Sequence, residues 1–374
     1  MTKLYLGSIF AVVFAAGFAS ACQAQDTQTV DTKSGKVVVE TLAEGLDHPW
    51  GMAFLPDGRL LVTERAGRLR ILGTDNKLSP PLAGTPKVYA SGQGGLLDVA
   101  LDPDFATNRT IFLSFAEPGD GGASTALARA TLGDNALTGL KVIFRQEPKV
   151  SGSGHFGGRI VFSRDGHLFL TTGERQKFDP AQDLASHLGK VIRLNRDGSI
   201  PKDNPFVGRA GAKPEIWSYG HRNVEGAAIE PATGALWTIE FGPRGGDELN
   251  RPEAGKNYGW PLVSWGTHYD GEDIPDPPMR PEFADAVRHW TPVISPSGMT
   301  FYSGTTFPQW KNNLLVACLS GQALTRLKIE GGKVVDEERI ATGTRIRDVD
   351  QGPDGSIYLA TDESNGKIWR LRPQ

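Results

Sequence analysis

Cysteine is almost absent from this chain, whose 374 residues include only Cys22 and Cys318. Two cysteines cannot form the disulfide framework that holds small extracellular scaffolds together. Cys318 lies in the apolar run of residues 314–319, which predicts a buried strand residue. The stability of the fold must therefore come from a packed core, with a bound metal as a further contribution.

An excess of charge of either sign is also missing. The 40 Lys and Arg against 43 Asp and Glu leave a net charge of −3, and no basic stripe indicates a nucleic-acid partner. The seven histidines are scattered, and no HExxH or CxxC pattern predicts a zinc site. GxSxG, P-loop, Rossmann and EF-hand patterns are absent too, so no short motif identifies a hydrolase, a nucleotide site or a calcium loop.

Long apolar runs are limited to one, residues 4–21, which follows Lys3 and ends in small residues. This order is typical of a secretory signal peptide. We therefore assign residues 1–24 to a signal peptide and expect a periplasmic or secreted protein with no membrane span. A lipid anchor at Cys22 is the less favoured alternative, because Ala19 replaces the usual larger aliphatic residue. Residues 25–36 are expected to be flexible, and residues 37–374 to form one domain.

Glycine and proline are plentiful, at 46 and 25 residues, and they separate copies of one pattern. Each copy has an apolar strand, a turn with Asp, Gly or Pro, and a second apolar strand. The copies span residues 51–64, 96–115, 159–172, 226–240, 298–317 and 348–361. Six such hairpins predict an all-β, six-bladed β-propeller with four-stranded blades, and they favour it over a β-sandwich.

Two further features belong to this prediction. Residues 36–42 are apolar and precede the first copy, so they are expected to supply the missing strand of the last blade. Residues 178–204 and 244–286 interrupt the repeat and are rich in Gly, Pro and Asp. Long insertions in a compact fold are usually functional, and we expect both to lie on one face, around the propeller axis.

Several polar residues stand at the starts of the repeats. His155, within a run of glycines, is a candidate general base because its pKa lies near neutral pH; a solvent-exposed loop histidine is an equal alternative. Arg222 and Asn223 precede the fourth copy. Arg345 and Arg347 precede the sixth and share one face of a strand. Two neighbouring arginines suit an anionic ligand, although a solvated edge paired with acids such as Asp348 is the alternative.

A calcium site is suggested only weakly by residues 240–250, which combine carboxylates, an Asn and a Gly-Pro turn with free carbonyl groups. Such oxygen atoms are the ligands that calcium prefers.

The segments with these residues occur in the order of a known family. They are residues 46–54, 92–99, 155–159, 220–223, 242–250, 257–261 and 345–355. Together they resemble the soluble quinoprotein sugar dehydrogenases of the glucose/sorbosone dehydrogenase family. The resemblance implies a six-bladed propeller that binds pyrroloquinoline quinone (PQQ) and calcium and oxidises aldoses at C1 to lactones.

The resemblance also implies a role for each matching residue. His155 would take the proton of the sugar's C1 hydroxyl while hydride passes to C5 of the quinone. The cofactor contacts would be Gln93, His155, Arg222, Asn223, Arg345 and Arg347. Carbonyl groups of Gly242 and Pro243 would hold the calcium that polarises the quinone, and Glu248 and Tyr258 would bind a second, structural calcium, the latter through its carbonyl.

One position departs from the family pattern. Ser320 stands where the family often has a lysine that faces the cofactor, which indicates weaker cofactor binding, another substrate, or a member that no longer binds quinone. The alternatives to the dehydrogenase are a calcium-dependent propeller lactonase and a non-catalytic propeller that binds a glycan or a protein. Besides the sugar, the expected partner is an unknown periplasmic electron acceptor, and the expected state is a monomer or homodimer.

Overall fold

The computed structural model describes Met1 and residues 27–274 and 278–374. Residues 2–26, and with them most of the predicted signal peptide and Cys22, lie outside the described residues. Six antiparallel sheets make up the described part of the chain. No helix in these ranges is long and apolar enough to cross a membrane.

The strands follow one another blade by blade. Two strands precede blade 1: β1 (Thr27–Thr32) and β2 (Gly35–Leu46). Blade 1 contains β3 (Pro49–Phe54), β4 (Leu60–Glu64) and β5 (Arg68–Leu72). Blade 2 contains β6 (Leu96–Leu101), β7 (Thr110–Gly119), β8 (Gly122–Leu132) and β9 (Leu137–Arg145). Blade 3 contains β10 (Gly157–Phe162), β11 (Leu168–Thr172), β12 (Lys190–Leu194) and β13 (Ile216–Tyr219).

The second half repeats this arrangement. Blade 4 contains β14 (Val224–Ile229), β15 (Leu236–Glu240), β16 (Asp247–Asn250) and β17 (Arg288–Trp290). Blade 5 contains β18 (Pro296–Phe301), β19 (Leu314–Cys318), β20 (Ala323–Glu330) and β21 (Lys333–Ala341). Blade 6 contains β22 (Ile346–Gln351), β23 (Ile357–Thr361) and β24 (Gly366–Pro373). The short helix α1 (Phe105–Asn108) and 3₁₀ turns at Asp179–Ala181 and Pro308–Trp310 connect strands.

The six sheets form a closed ring, which confirms the predicted six-bladed propeller. The first strand of each blade contacts the first strands of both neighbouring blades, including β22 with β3. Each predicted hairpin forms the two innermost strands of a blade, β3–β4 in blade 1 and β22–β23 in blade 6. Four blades have four strands, blade 1 has three, and blade 6 has five, counting β2 and β1.

The second strand of the chain, β2, closes the ring, as the sequence predicts. β2 pairs with β24, for example Val39 with Leu371. Within the segment that the sequence predicts to be flexible, residues 27–32 form β1, which pairs with β2 along its whole length. Lys33, in the turn between them, forms an ion pair with Asp336 of blade 5 at 2.7 Å.

Each interface between blades has its own apolar core, because neighbouring residues of a strand face opposite sides of its sheet. In β4, Leu61 packs against blade 2, whereas Leu60 and Val62 pack against blade 6. Both faces are buried, which explains the unbroken apolar runs of the inner strands. Cys318 is buried in the core between blades 4 and 5, as predicted.

All six first strands contain a bulge near their beginning, where the pairing with the second strand shifts register. A bulge re-aims side chains, and here it directs one polar or aromatic residue of each blade toward the axis. This axial ring consists of Trp50, Asp98, Arg159, Glu225, Ser297 and Arg347. Arg159 bonds to Asp98 at 3.1 Å, and its guanidinium lies 4.3 Å from the centre of the Trp50 ring.

The axial ring borders a cavity of about 490 Å³ that the first strands of the six blades enclose along the axis. Its lining includes Asp98, Arg159 and Asp348 but none of the candidate site residues. We call the face on which the first strands begin the top face, and the candidate site lies there.

Candidate active site

The structure brings four of the predicted residues together on the top face, just before the first strands of blades 2, 3 and 4. The backbone N–H of His155 donates to Oε1 of Gln93 at 2.6 Å. Oδ1 of Asn223 accepts from the N–H of Gly157 at 3.0 Å, and the carbonyl of Arg222 accepts from the N–H of Glu174 at 2.9 Å. Gln93, His155, Arg222 and Asn223 therefore belong to one site.

A buried carboxylate orients His155. Its Nδ1 lies 2.6 Å from Oε1 of Glu174, and 7% of the His155 side chain and none of the Glu174 side chain is exposed. The second oxygen of Glu174 accepts hydrogen bonds from the backbone N–H groups of Lys177 and, at 2.9 Å, of Phe178. An ionised carboxylate only accepts, so Nδ1 carries the proton and Nε2 is free to take one. No local motif marks Glu174 in the sequence, although it follows the third repeat at a strand end.

The environment keeps His155 neutral. Burial lowers its pKa below the ordinary value, the hydrogen bond to Glu174 acts in the opposite direction, and the charge of Arg222 lowers it again. Burial alone would raise the pKa of Glu174, but the hydrogen bonds from His155 and the backbone N–H of Phe178, with the charge of Arg222, bring it below its usual value. The pair is thus a neutral imidazole beside an ionised carboxylate, the combination that a general base requires.

Backbone strain is concentrated around this pair. His155, Arg175, Gln176 and Phe178 have φ angles of 53°, 60°, 58° and 64°, in the left-handed region that residues other than glycine rarely adopt. Strained residues of this kind cluster at functional sites.

Arg175 holds the glycine-rich segment before His155 in place. Its guanidinium donates to the carbonyl groups of Gly154 and, at 2.7 Å, of Gly152, and lies 3.7 Å from the centre of the Phe156 ring. Burial lowers the pKa of Arg175 to about 10. No local motif in the sequence marks Arg175.

Arg222 is buried and faces carbonyl groups instead of a carboxylate. Its Nη1 donates to the carbonyls of Phe241 at 3.2 Å and Gly242 at 2.9 Å. Its Nη2 contacts the hydroxyl of Tyr269 at 3.4 Å, and the Trp260 ring centre lies 5.2 Å away. Within the described residues, Nε is buried without a hydrogen-bond partner, so the guanidinium still has an N–H group that can donate a hydrogen bond to a ligand.

Arg345, just before β22, and Arg347, at its bulge, contact the same carboxylate. Oδ2 of Asp362 is 2.7 Å from Arg345 and 3.3 Å from Arg347. The paired acid is thus Asp362, whereas Asp348 bonds to Arg159 at 3.0 Å. Burial would raise the pKa of Asp362, but the arginines lower it to about 2.

Glu225 of the axial ring connects the two sides of the site. Its Oε2 lies 2.5 Å from Nη1 of Arg347, and its Oε1 accepts from Nδ2 of Asn223 at 3.1 Å. All three side chains are buried, so Glu225 fixes the orientation of both the amide and the guanidinium.

The predicted calcium ligands occupy two neighbouring positions. Gly242 and Pro243 form the turn after β15, and the N–H of Gly242 donates to Asp247 at 2.9 Å. Glu248 lies directly opposite Glu240 in the β15–β16 pair. Burial and the charge of Glu240 raise the pKa of Glu248 to about 8.

The two glutamates and Tyr258 line a small cavity of about 10 Å³, which has room for about one water or ion. Oδ1 of Asn250, whose Nδ2 donates to Glu240 at 3.0 Å, is buried without a partner in the described part of the chain. Residues 27–274 and 278–374 contain no group of three or more His, Cys, Asp or Glu that could hold a metal. A cation here would therefore use carbonyl and amide oxygens as well as the carboxylates.

Ser320 lies on blade 5, where its hydroxyl contacts that of Ser295. This pair presents no charge. Aromatic side chains flank Arg222 instead: the Phe178 ring lies 5.7 Å from that of Trp260, and the Tyr269 side chain is exposed. They come from the two long insertions, which thus border the site.

Comparison with known proteins agrees with this geometry. The family model described as "Glucose / Sorbosone dehydrogenase" matches residues 46–370. The aldose sugar dehydrogenase YliI of Escherichia coli (strain K12) is 47% identical over 90% of this chain and 93% of its own length.

Two solved structures are similar over 90% of this chain. The soluble aldose sugar dehydrogenase from Escherichia coli in its apo form has a TM-score of 0.88 at 47% identity and is covered over 100% of its length. The PQQ-bound aldose sugar dehydrogenase from Streptomyces coelicolor has a TM-score of 0.76 at 30% identity, covered over 98%. The chain belongs to the glucose/sorbosone dehydrogenase family.

Proposed function

We propose that this protein is a PQQ-dependent aldose sugar dehydrogenase that oxidises the C1 hydroxyl of an aldose and releases a lactone. The observation that carries the proposal is the His155–Glu174 pair, which lies beside Arg222 and Asn223 on the top face. The relatives named above as aldose sugar dehydrogenases, one of them PQQ-bound, support the same reaction class.

The residues on the top face fit an anionic quinone. Nε atoms of Arg222 and Arg347 are buried without partners among the described residues, and buried donors of this kind favour a ligand that accepts hydrogen bonds. Arg222, Arg345 and Arg347 would hold the oxygens and carboxylates of the cofactor. The Oε1 of Gln93 accepts a hydrogen bond from the backbone N–H of His155, so the amide N–H₂ of Gln93 would face the cofactor. Asn223 retains one of its two amide hydrogens for the same purpose.

Calcium fits the second part of the site. The paired carboxylates Glu240 and Glu248 and the orphaned oxygen of Asn250 are suitable ligands for one cation, with the carbonyl of Tyr258 completing the set. A further calcium would use the carbonyl groups of Gly242 and Pro243. The Gly242 carbonyl already accepts from Arg222, but a carbonyl oxygen has a second lone pair.

His155 performs the proton transfer in this mechanism. Its Nε2 accepts the proton of the C1 hydroxyl, and Glu174 stabilises the imidazolium that results. When bound, the quinone supplies the acceptor for the hydride that leaves C1. Arg222 donates hydrogen bonds toward the negative charge that develops, and its burial strengthens that interaction. Phe178, Trp260 and Tyr269 form the wall that the sugar would contact.

The export of the protein to the periplasm, where an electron acceptor would reoxidise it, is part of the same proposal, as is a monomeric or homodimeric state. The proposed export rests on the signal-peptide pattern. A fractionation of cells that express the full chain would place it.

Reconstitution tests the proposed function. Purified protein freed of cofactor is mixed with PQQ and Ca²⁺, and dye reduction is followed with a panel of aldoses. We expect dye reduction that depends on PQQ, on calcium and on an aldose. Absence of both PQQ binding and dye reduction would contradict the proposal.

A further inference from the structure

Arg65 occupies a position on the top face that the sequence analysis did not consider. It follows β4, between the blade 6 turn that contains Asp362 and the blade 2 segment that contains Gln93. Its N–H donates to the carbonyl of His48 at 3.2 Å, and its own carbonyl accepts from Leu96 at 3.1 Å.

A glycine allows this close packing. A Cβ atom on Gly95 would lie 2.1 Å from the Arg65 carbonyl oxygen, and Gly95 has a φ of +145°. The backbone of Arg65 is therefore fixed against blade 2, and this fixes the position from which its side chain extends.

The guanidinium of Arg65 has no carboxylate partner within the described ranges, in contrast to its neighbours. Nη1 donates to the carbonyl of Gly92 at 2.8 Å, the residue that precedes Gln93, and Nε is buried without a partner. Arg347 and Arg345 both form ion pairs with Asp362.

The electrostatic environment connects Arg65 to this group. Burial and the charge of Arg347 lower the pKa of Arg65, while Asp362 and Glu225 oppose that effect. Asp47 opposes it as well. Within the described ranges none of these carboxylates forms an ion pair with Arg65, so its charge is available to an anionic ligand beside Gln93.

We propose that Arg65 is a further cofactor-binding residue, which forms a charge-assisted hydrogen bond with a carboxylate of the anionic quinone from the blade 1 side of the site. The inference rests on the proposed function. Blades 1 and 5 flank blade 6. Arg65 would supply a positive charge on the blade 1 side, whereas Ser320 and Ser295 leave the blade 5 side neutral.

A binding titration tests this assignment. Cofactor-free protein is titrated with PQQ in the presence of Ca²⁺, and the Kd is measured by calorimetry for the wild type and for Arg65→Gln, Arg65→Lys and Arg59→Gln. Arg59 is the matched control, since it lies on the same blade in the β3–β4 hairpin and pairs with Asp57 at 2.7 Å. We expect Arg65→Gln to raise the Kd about tenfold to a hundredfold, Arg65→Lys to raise it less, and Arg59→Gln to leave it unchanged.

The outcomes separate this inference from the proposed function. If the wild type binds PQQ and Arg65→Gln binds it equally tightly, Arg65 has no such role and the function stands. If the Gln and Lys variants weaken binding equally while their thermal unfolding matches the wild type, charge is not what Arg65 contributes, and the inference fails. If the wild type itself does not bind PQQ, the proposed function fails and this inference with it.

Discussion

The Nδ1 atom of His155 lies 2.6 Å from Oε1 of Glu174, and both side chains are buried. This contact fixes which nitrogen of the imidazole carries the proton. It also raises the pKa of His155, against the effects of burial and Arg222.

Glu174→Gln is expected to change both the rate and its pH dependence. The base must be neutral, so kcat/KM of the wild type should fall as the pH drops through the His155 pKa, which lies below 6.5. Without the Glu174 charge the imidazolium is less stable, so the acidic limb should move to lower pH while kcat falls about a hundredfold. The check is a pH–rate profile, with His167→Ala, in the β10–β11 hairpin, as the control. A limb that moves to higher pH would contradict this electrostatic account.

Glu225→Ala is expected to destabilise the fold. Its removal leaves Arg347 and Asn223 buried without their shared partner, and breaking a buried ion pair costs about 3–5 kcal/mol. Urea unfolding measures the loss. The exposed Lys328–Glu330 pair, at 2.7 Å, provides the comparison, since Glu330→Ala should cost about 1 kcal/mol or less. Equal effects of the two substitutions would show that the axial ring is not a stabilising network.

Closure of the ring depends on β2 more than on β1. Val39 of β2 is buried against blade 5 and blade 6 residues, so Val39→Asp should lower the free energy of unfolding by at least about 3 kcal/mol, because an unpaired charge is buried. Val30→Asp, on the outer strand β1, should have a much smaller effect. Thermal unfolding measures the stability of the two variants. Similar melting temperatures would refute the closing role of β2.

Removal of calcium should lower the melting temperature. The proposed ion between Glu240 and Glu248 would stabilise only the folded state, by about 2.7 kcal/mol at a concentration 100 times its Kd. We expect a chelator to lower Tm, Ca²⁺ to restore it, and Glu248→Gln to reduce the response to the part that the proposed carbonyl site contributes. Glu253→Gln, at an exposed neighbouring position, should behave as the wild type. A Glu248→Gln protein that responds to Ca²⁺ as strongly as the wild type would contradict a site between Glu240 and Glu248.

The sequence predicts most of the fold and part of the site. Its hairpins repeat with the same order of apolar strands and turns, so the six inner strand pairs and the closing strand β2 could be found from local patterns. The composition of residues 27–32 does not predict strand β1, because this strand forms by pairing with β2.

The rest of the site depends on contacts between distant segments. Glu174, Arg175 and Glu225 have no local motif that marks them, and their roles follow from the blades that surround them. The six bulges are likewise invisible in the sequence, although they aim Asp98, Arg159, Glu225 and Arg347 at the axis. The spacing of Arg345 and Arg347 predicts that they lie close together, but their shared partner, Asp362, follows a different strand, β23, and has no local signal.

The most direct test of the central claim is a comparison of cofactor binding and turnover in one variant, His155→Ala. His155 contacts Gln93 through its backbone, so the variant keeps that hydrogen bond. We predict that its Kd for PQQ stays within several-fold of the wild-type value, while single-turnover oxidation of an aldose slows about 10²-fold to 10⁴-fold. Oxidation at the wild-type rate by the PQQ-loaded variant would contradict the account.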